Sequence, residues 1–130
     1  MSAEDAITAF DPGRNIGMAV VTGDGQLISQ SVLNREQLLR LRFRPAQTVL
    51  VGDGTGSDAL LADLRSLGAI PLVVDEDGTT LLARQLYWQN ERRSSLLRLL
   101  PAGLRPQPAA IDGYAAWALA LRWLRSAPGS

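Results

Sequence analysis

Five carboxylates stand where apolar runs stop or start. Asp11 closes AITAF and is followed at once by Pro12 and Gly13. Asp53 follows QTVLVG, Asp75 and Glu76 follow AIPLVV, and Asp112 stands at the head of IDGYAAWALALRWLRS. Each has a local reading. Asp11 can start a turn, and Asp53 can shape the loop ahead of a helix. Asp75 and Glu76 can be solvated loop charges, and Asp112 can complement a helix dipole for about 0.3–1 kcal/mol. Together they suggest more. At an effective dielectric of about 20, two carboxylates ~4 Å apart repel by about 4 kcal/mol. A fold that gathers three of them needs cations. Two divalent ions about 4 Å apart can activate a water on one side of a phosphodiester and stabilise the leaving oxygen on the other.

The residue inventory leaves little other chemistry. The chain has no His and no Cys, which excludes Ser-His-Asp triads, Cys-His pairs, thiolate metal sites and disulfides. A bound metal has to be hard and oxygen-loving, such as Mg²⁺ or Mn²⁺.

The elements that must position these acids follow from the apolar patterning. AITAF, NIGMAVVTG and QLISQSVL read as three strands, the last two joined by an Asp24-Gly25 hairpin signal. NREQLLRLRF reads as a short helix capped by Asn34. QTVLVGD is a fourth strand, apolar through its centre as in a buried parallel strand. GSDALLADLRSLG is a helix, with Ser57 as cap and Gly68 as stop. AIPLVVDE is a fifth strand. TTLLARQLYWQN, part of ERRSSLLRLLPAGLRPQP and the long stretch from Ile111 are helical, and residues 127–130 are a disordered tail. The expectation is therefore one α/β domain over residues 1–126. Its order β-β-β-α-β-α-β-α gives a mixed five-stranded sheet flanked by helices, the layout of the ribonuclease H-like fold. In such a sheet, strand ends that precede helices gather at one edge. If the first, fourth and fifth strands are neighbours, the acids converge there.

The chain has 130 residues, and 46% of them are hydrophobic. That is the size of one ordinary domain with a real core. No apolar run approaches the roughly 20 residues of a membrane span. The acidic start MSAEDA lacks a signal-peptide layout, so a cytoplasmic protein with no membrane partner is expected. All 13 basic residues are Arg and the formal net charge is zero. The charge is uneven: residues 1–83 carry a net −5 and residues 84–130 a net +5. This matches an acidic metal site beside a basic surface.

Three segments carry a family resemblance. Asp11-Pro12-Gly13, with Gly17 and MAVV after it, resembles the first motif of the RuvC and YqgF nucleases. VVDEDGTTLLAR, residues 73–84, resembles the YqgF motif in which a strand ends in Asp-Glu and leads through Thr-Thr into a helix. IDGYAAWAL, residues 111–119, resembles its last motif. The three occur in family order and bracket nearly the whole domain. The nearest likeness is to the YqgF group, the Holliday junction resolvase-like family linked to maturation of pre-16S rRNA. The resemblance implies a metal-dependent nuclease in which Asp11, Glu76 and Asp112 are the catalytic carboxylates. It also implies a division of labour, with Asp11 bridging two ions of Mg²⁺ or Mn²⁺ and Glu76 and Asp112 holding one each. Asp53 and Asp75 are further candidate ligands. Two features depart from the family pattern. Asp77 stands where an Arg often follows the Asp-Glu pair. VGDGTGS replaces a Gly-x-Pro loop and looks more like the corresponding loop of the transcription accessory protein Tex.

A nuclease binds a polyanion, so Arg should flank the acids. Arg14 is the first candidate, with Arg84, Arg92 and Arg93 between the second and third motifs. Thr79 and Thr80 can donate to a phosphate at a helix start, or one of them can simply cap it. Trp88, Trp117 and Trp123 lie on amphipathic helices and read as core. Ala115, Ala116, Leu119 and Trp123 form a stripe with Asp112 that packs on the sheet. The leading expectation is RNA cleavage in ribosomal RNA processing. The competing readings are a dimeric resolvase of branched DNA, a non-catalytic nucleic-acid-binding module and, last, an actin-like or sugar-kinase ATPase.

Overall fold

The computed structural model describes residues 6–44, 46–76, 79, 81–86 and 111–126, with the side chains of Ile111 and Asp112 excepted. Strands β1 (Ile7–Asp11), β2 (Ile16–Val21), β3 (Leu27–Leu33), β4 (Thr48–Gly52) and β5 (Pro71–Val74) form one sheet in the order β3-β2-β1-β4-β5. β1, β2 and β3 pair antiparallel as a meander, while β4 lies parallel to both β1 and β5. Among the described residues the helices are α1 (Arg35–Leu38), α2 (Ser57–Ser66), α3 (81–86) and α4 (Ile111–Ser126). The chain is thus an α/β protein with a mixed five-stranded sheet flanked by helices. Residues 87–90 of the helix expected from Thr79, the partly helical stretch expected over 91–108 and the disordered tail expected over 127–130 lie outside the described residues.

Alternation along the strands divides the core between two faces. Ile7, Ala9, Ala19, Val21, Leu50 and Val74 face α4 and pack on Ala116, Leu119 and Ala120. Phe10, Val49 and Val51 face the other way, onto Leu38, Leu60, Leu61 and Leu64. β4 is buried on both faces, which explains its unbroken apolar run. Fully burying a side chain such as Leu50, Leu119 or Phe10 contributes about 1.5–3 kcal/mol, and all three are completely enclosed. β5 is an edge strand of this sheet, and two residues of its apolar run, Leu72 and Val73, are exposed.

α4 is buried on two sides. Tyr114 and Ala118 join Ala83 and Leu86 of α3 in a third cluster. Ala115, expected on the sheet-facing stripe, packs at this cluster instead. Trp117 and Trp123 are partly buried core residues, as expected. The Trp117 indole N–H also donates to the Gly25 carbonyl at 2.9 Å, tying α4 to the β2–β3 hairpin. Gly25 turns that hairpin with φ +95°, and a Cβ there would meet Leu121 at 2.9 Å.

Two local expectations are corrected. The helix expected over residues 34–43 ends at Leu38. Asn34 caps it as predicted, in a reciprocal capping box with Gln37. Beyond it, LRLRFR has a two-residue apolar period that a helix cannot satisfy, and Leu41 and Phe43 turn inward while Arg40, Arg42 and Arg44 are exposed. Ser57 does not cap α2. Gly56 does, with φ +90° and no side-chain cap bond. Gly68 ends α2 at φ +93°, as expected.

Candidate functional site

The edge at the carboxyl ends of β1, β4 and β5 brings Asp11, Asp53 and Glu76 close in the fold. β1 carries Ile7 and Ala9 into the α4-side core, so the two-residue period puts Asp11 on the same face. Its partner on β2 is Gly17. On the other side Phe10 pairs with Val51, and the next step of that register sets Gly52 beside Asp11. Asp11 therefore has a glycine on each neighbouring strand. The Glu76 side chain lies over the strand in between. A Cβ on Gly52 would meet Glu76 Oε1 at 2.2 Å, and one on Gly54 would meet Oε2 at 2.4 Å. The two glycines form a cradle for this one carboxylate.

The backbone of Glu76 is fixed from both ends. Its N–H donates to Asp53 Oδ1 at 3.0 Å, and the Asp53 N–H donates to the Val74 carbonyl at 3.1 Å. The Glu76 carbonyl accepts from the Thr79 hydroxyl at 2.6 Å and from the Thr79 N–H at 2.9 Å. Thr79 is buried, so its hydroxyl holds Glu76 instead of facing a phosphate. The side chain of Glu76 contrasts with this. Its Oε1 is buried and has no hydrogen-bond partner among the described residues. Burying a carboxylate oxygen with no donor is unfavourable, and such an atom is suited to a cation.

The other candidates lie elsewhere. The Asp75 carboxylate accepts from Arg122 of α4 at 3.3 Å in an exposed pair. Asp112 is in the first turn of α4, where its neighbour Gly113 lies against Gln30 of β3, two strands across from β1. Its side chain is outside the described set. Among the described residues no group of three or more acids is arranged to hold a metal. Arg14 is exposed in the β1–β2 loop. With Pro12, Asn34, Gly56 and Ala59 it lines a groove of about 270 Å³ at the same edge, beside the start of α2. Arg84 is exposed on α3, while Thr80, Arg92 and Arg93 lie outside the described residues.

Near the groove, Arg35 grips Asp63 through two bonds of 3.0 and 3.1 Å. These bonds hold the Asp63 carboxyl below its ordinary range and raise the Arg35 guanidinium above its own. Gly52 and Gly54 are the site residues that sequence reasoning missed. Their signal was GDG directly after a buried strand, read as a turn though it also makes room for a side chain from the next strand.

No protein-family model matches the sequence, and no curated protein matches it.

Proposed function

We propose that this chain is a divalent-metal-dependent nuclease with a ribonuclease H-like fold, acting on phosphodiester bonds in RNA. The sheet order and the antiparallel-then-parallel pairing are compatible with that fold. The observation that carries the reading is the Glu76 carboxylate, held in a glycine cradle beside Asp11 with one buried oxygen that has no donor among the described residues. Asp11 and Glu76 would hold Mg²⁺ or Mn²⁺; Asp112, which the YqgF resemblance makes the third ligand, stands in the first turn of α4, whose start lies against Gln30 of β3. The ion would polarise the phosphodiester and offset the mutual repulsion of the carboxylates. Asp53 and Thr79 would position Glu76 through its backbone, and Arg14 would neutralise a substrate phosphate. The choice of RNA, and of pre-16S rRNA processing as its setting in the cytoplasm, follows the YqgF resemblance. Branched DNA is the alternative substrate, and a resolvase of that kind would be a symmetric homodimer.

The test compares wild type with Asp11→Asn on single-stranded RNA and on a four-way DNA junction, with Mg²⁺, with Mn²⁺ and with chelator. Cleavage that needs the ion and disappears in the variant is expected. Cleavage that survives chelation, or is the same in Asp11→Asn, overturns the reading. Nucleic-acid binding with no cleavage by wild type in either ion would make the chain a binding module. A dimer in solution that cuts only the junction would move the substrate to DNA.

A further inference from the structure

The segment that departs from the expected helix has a second consequence. Between α1 and β4 the chain runs down the α2 face of the sheet, from the edge that carries Asp11 to the opposite edge where β4 begins. Over residues 40–44 its side chains alternate: Arg40, Arg42 and Arg44 are exposed, and Leu41 and Phe43 pack into the core. Phe43 meets Phe10 edge to face at 6.2 Å, and Phe10 precedes Asp11. The backbone is pinned at both ends. Leu41 N–H donates to the Leu38 carbonyl at 3.0 Å, and Gln47 N–H donates to the Arg44 carbonyl at 3.1 Å. Gln47 in turn donates to Thr8 of β1 at 2.8 Å. From residue 34 to residue 52 the chain holds four Arg and one acid, Glu36. Glu36 pairs with Arg40 at 2.9 Å, but both side chains are about three-quarters exposed, and such pairs are readily exchanged.

We infer that Arg40, Arg42 and Arg44 form a track for the phosphodiester backbone of a single nucleic-acid strand leading away from the Asp11 edge. Beyond the turn at Arg40, whose N–H donates to the Gln37 carbonyl at 3.2 Å, Arg42 and Arg44 alternate with Leu41 and Phe43, and in an extended chain like side chains recur about every 6.6 Å. Successive phosphates of one strand are separated by a similar distance, since the winding backbone between them is longer than its axial rise of about 3.4 Å, so the arginines can meet neighbouring phosphates. Their inward neighbours anchor the row, so little backbone order is lost on binding. The inference rests on the nucleic-acid reading above and adds a binding surface to it. It predicts contact with the backbone and no preference for base sequence.

The test measures binding of fluorescent single-stranded RNA and of DNA of the same sequence, in chelator so that nothing is cleaved, across a salt series. Arg42→Gln/Arg44→Gln should reduce the slope of log affinity against log salt by about 1.4, from about 0.7 per lost phosphate contact. Over a fourfold rise in salt, the variant should therefore lose about sevenfold less affinity than wild type. Arg125→Gln, an exposed Arg at the far end of α4, controls for net charge and should leave the slope nearly unchanged. A wild-type slope in the double variant overturns the track. So does an equal fall per Arg in Arg125→Gln, or a loss confined to RNA or to DNA, since phosphates are common to both. Metal-dependent cleavage with an unchanged slope would remove the track and keep the nuclease reading. The expected slope change with no cleavage in Mg²⁺ or Mn²⁺ would do the reverse.

Discussion

The Asp53 carboxylate accepts the backbone N–H of Glu76 at 3.0 Å, joining the loop after β4 to the end of β5. The bond crosses 23 residues of sequence and fixes the residue whose side chain lies in the glycine cradle. Asp53 is exposed, so its task here is orientation and not burial.

Asp53→Ala should therefore weaken metal binding more than it weakens the fold. A hydrogen bond at a solvent-facing site contributes about 1 kcal/mol, whereas loss of a group that orients a ligand commonly lowers metal affinity about 10–100-fold. Asp53→Asn keeps an acceptor oxygen and should retain most of the affinity. Calorimetric titration of Mn²⁺ alongside urea unfolding separates the two effects. Equal affinities in Asp53→Ala and wild type would make the bond a loop brace only.

Gly52→Ala should abolish ion-dependent activity while leaving a folded protein. The added methyl falls on Oε1, Cδ and Cγ of Glu76, all side-chain atoms, so the side chain moves before the backbone does. Overpacking of this kind costs about 1–3 kcal/mol. Gly68→Ala gives the contrast. Its φ of +93° makes the change strained, by about 1 kcal/mol, yet no atom of the described residues lies within 4 Å of the added one. Activity per folded molecule should be lost in the first variant and kept in the second, as measured by specific activity against unfolding midpoint.

This contrast marks what was legible in the sequence. The stop at Gly68, the hairpin at Gly25 and the cap at Asn34 depend on neighbours a few residues away, and pattern reading finds them. β4 was legible because a strand buried on both faces cannot alternate. The helix after Asn34 was overextended because its leucines suit a helix until the period is counted through Phe43. The cradle depends on Gly52, Gly54 and Glu76 meeting across two strands. The sequence supplies the residues for it, and only the register of β4 with β5 supplies the meeting. The same holds for Thr79, whose capping chemistry was visible but whose acceptor, the Glu76 carbonyl, was not.

The Arg35–Asp63 pair, which lines the groove beside Arg14, should give a pH signature of its own. The two guanidinium bonds hold the folded-state carboxyl below its ordinary value, while the unfolded chain titrates near pH 3.9. The stabilisation is thus present above the unfolded value and is lost as pH falls through the lower folded value. Asp63→Asn should be less stable than wild type at neutral pH, and the two should converge only below about pH 4. Because the Arg35 partner is exposed, the difference should also shrink with added salt. Urea midpoints across the acid range, at low and high salt, measure both trends. A difference that persists unchanged into strong acid would show that Asp63 acts through packing.

Glu76→Gln distinguishes a ligand from a structural carboxylate. In the ion-free protein Glu76 buries an oxygen with no donor among the described residues, and a charge placed this way opposes folding. The amide keeps the shape and removes the charge, so the ion-free variant should be as stable as wild type or more stable by about 1 kcal/mol. A ligand role adds the opposite effect when the ion is present. An ion that binds only the folded state stabilises it by about 2.7 kcal/mol at 100 times its dissociation constant, and Glu76→Gln should lose most of that gain. Melting temperatures with chelator, Mg²⁺ and Mn²⁺ therefore predict a crossover, with the variant equal or higher without ions and lower with them. A variant that melts lower in chelator and still responds to the ions would mean that Glu76 finds its partner within the protein. The cradle would then serve the fold and not a metal.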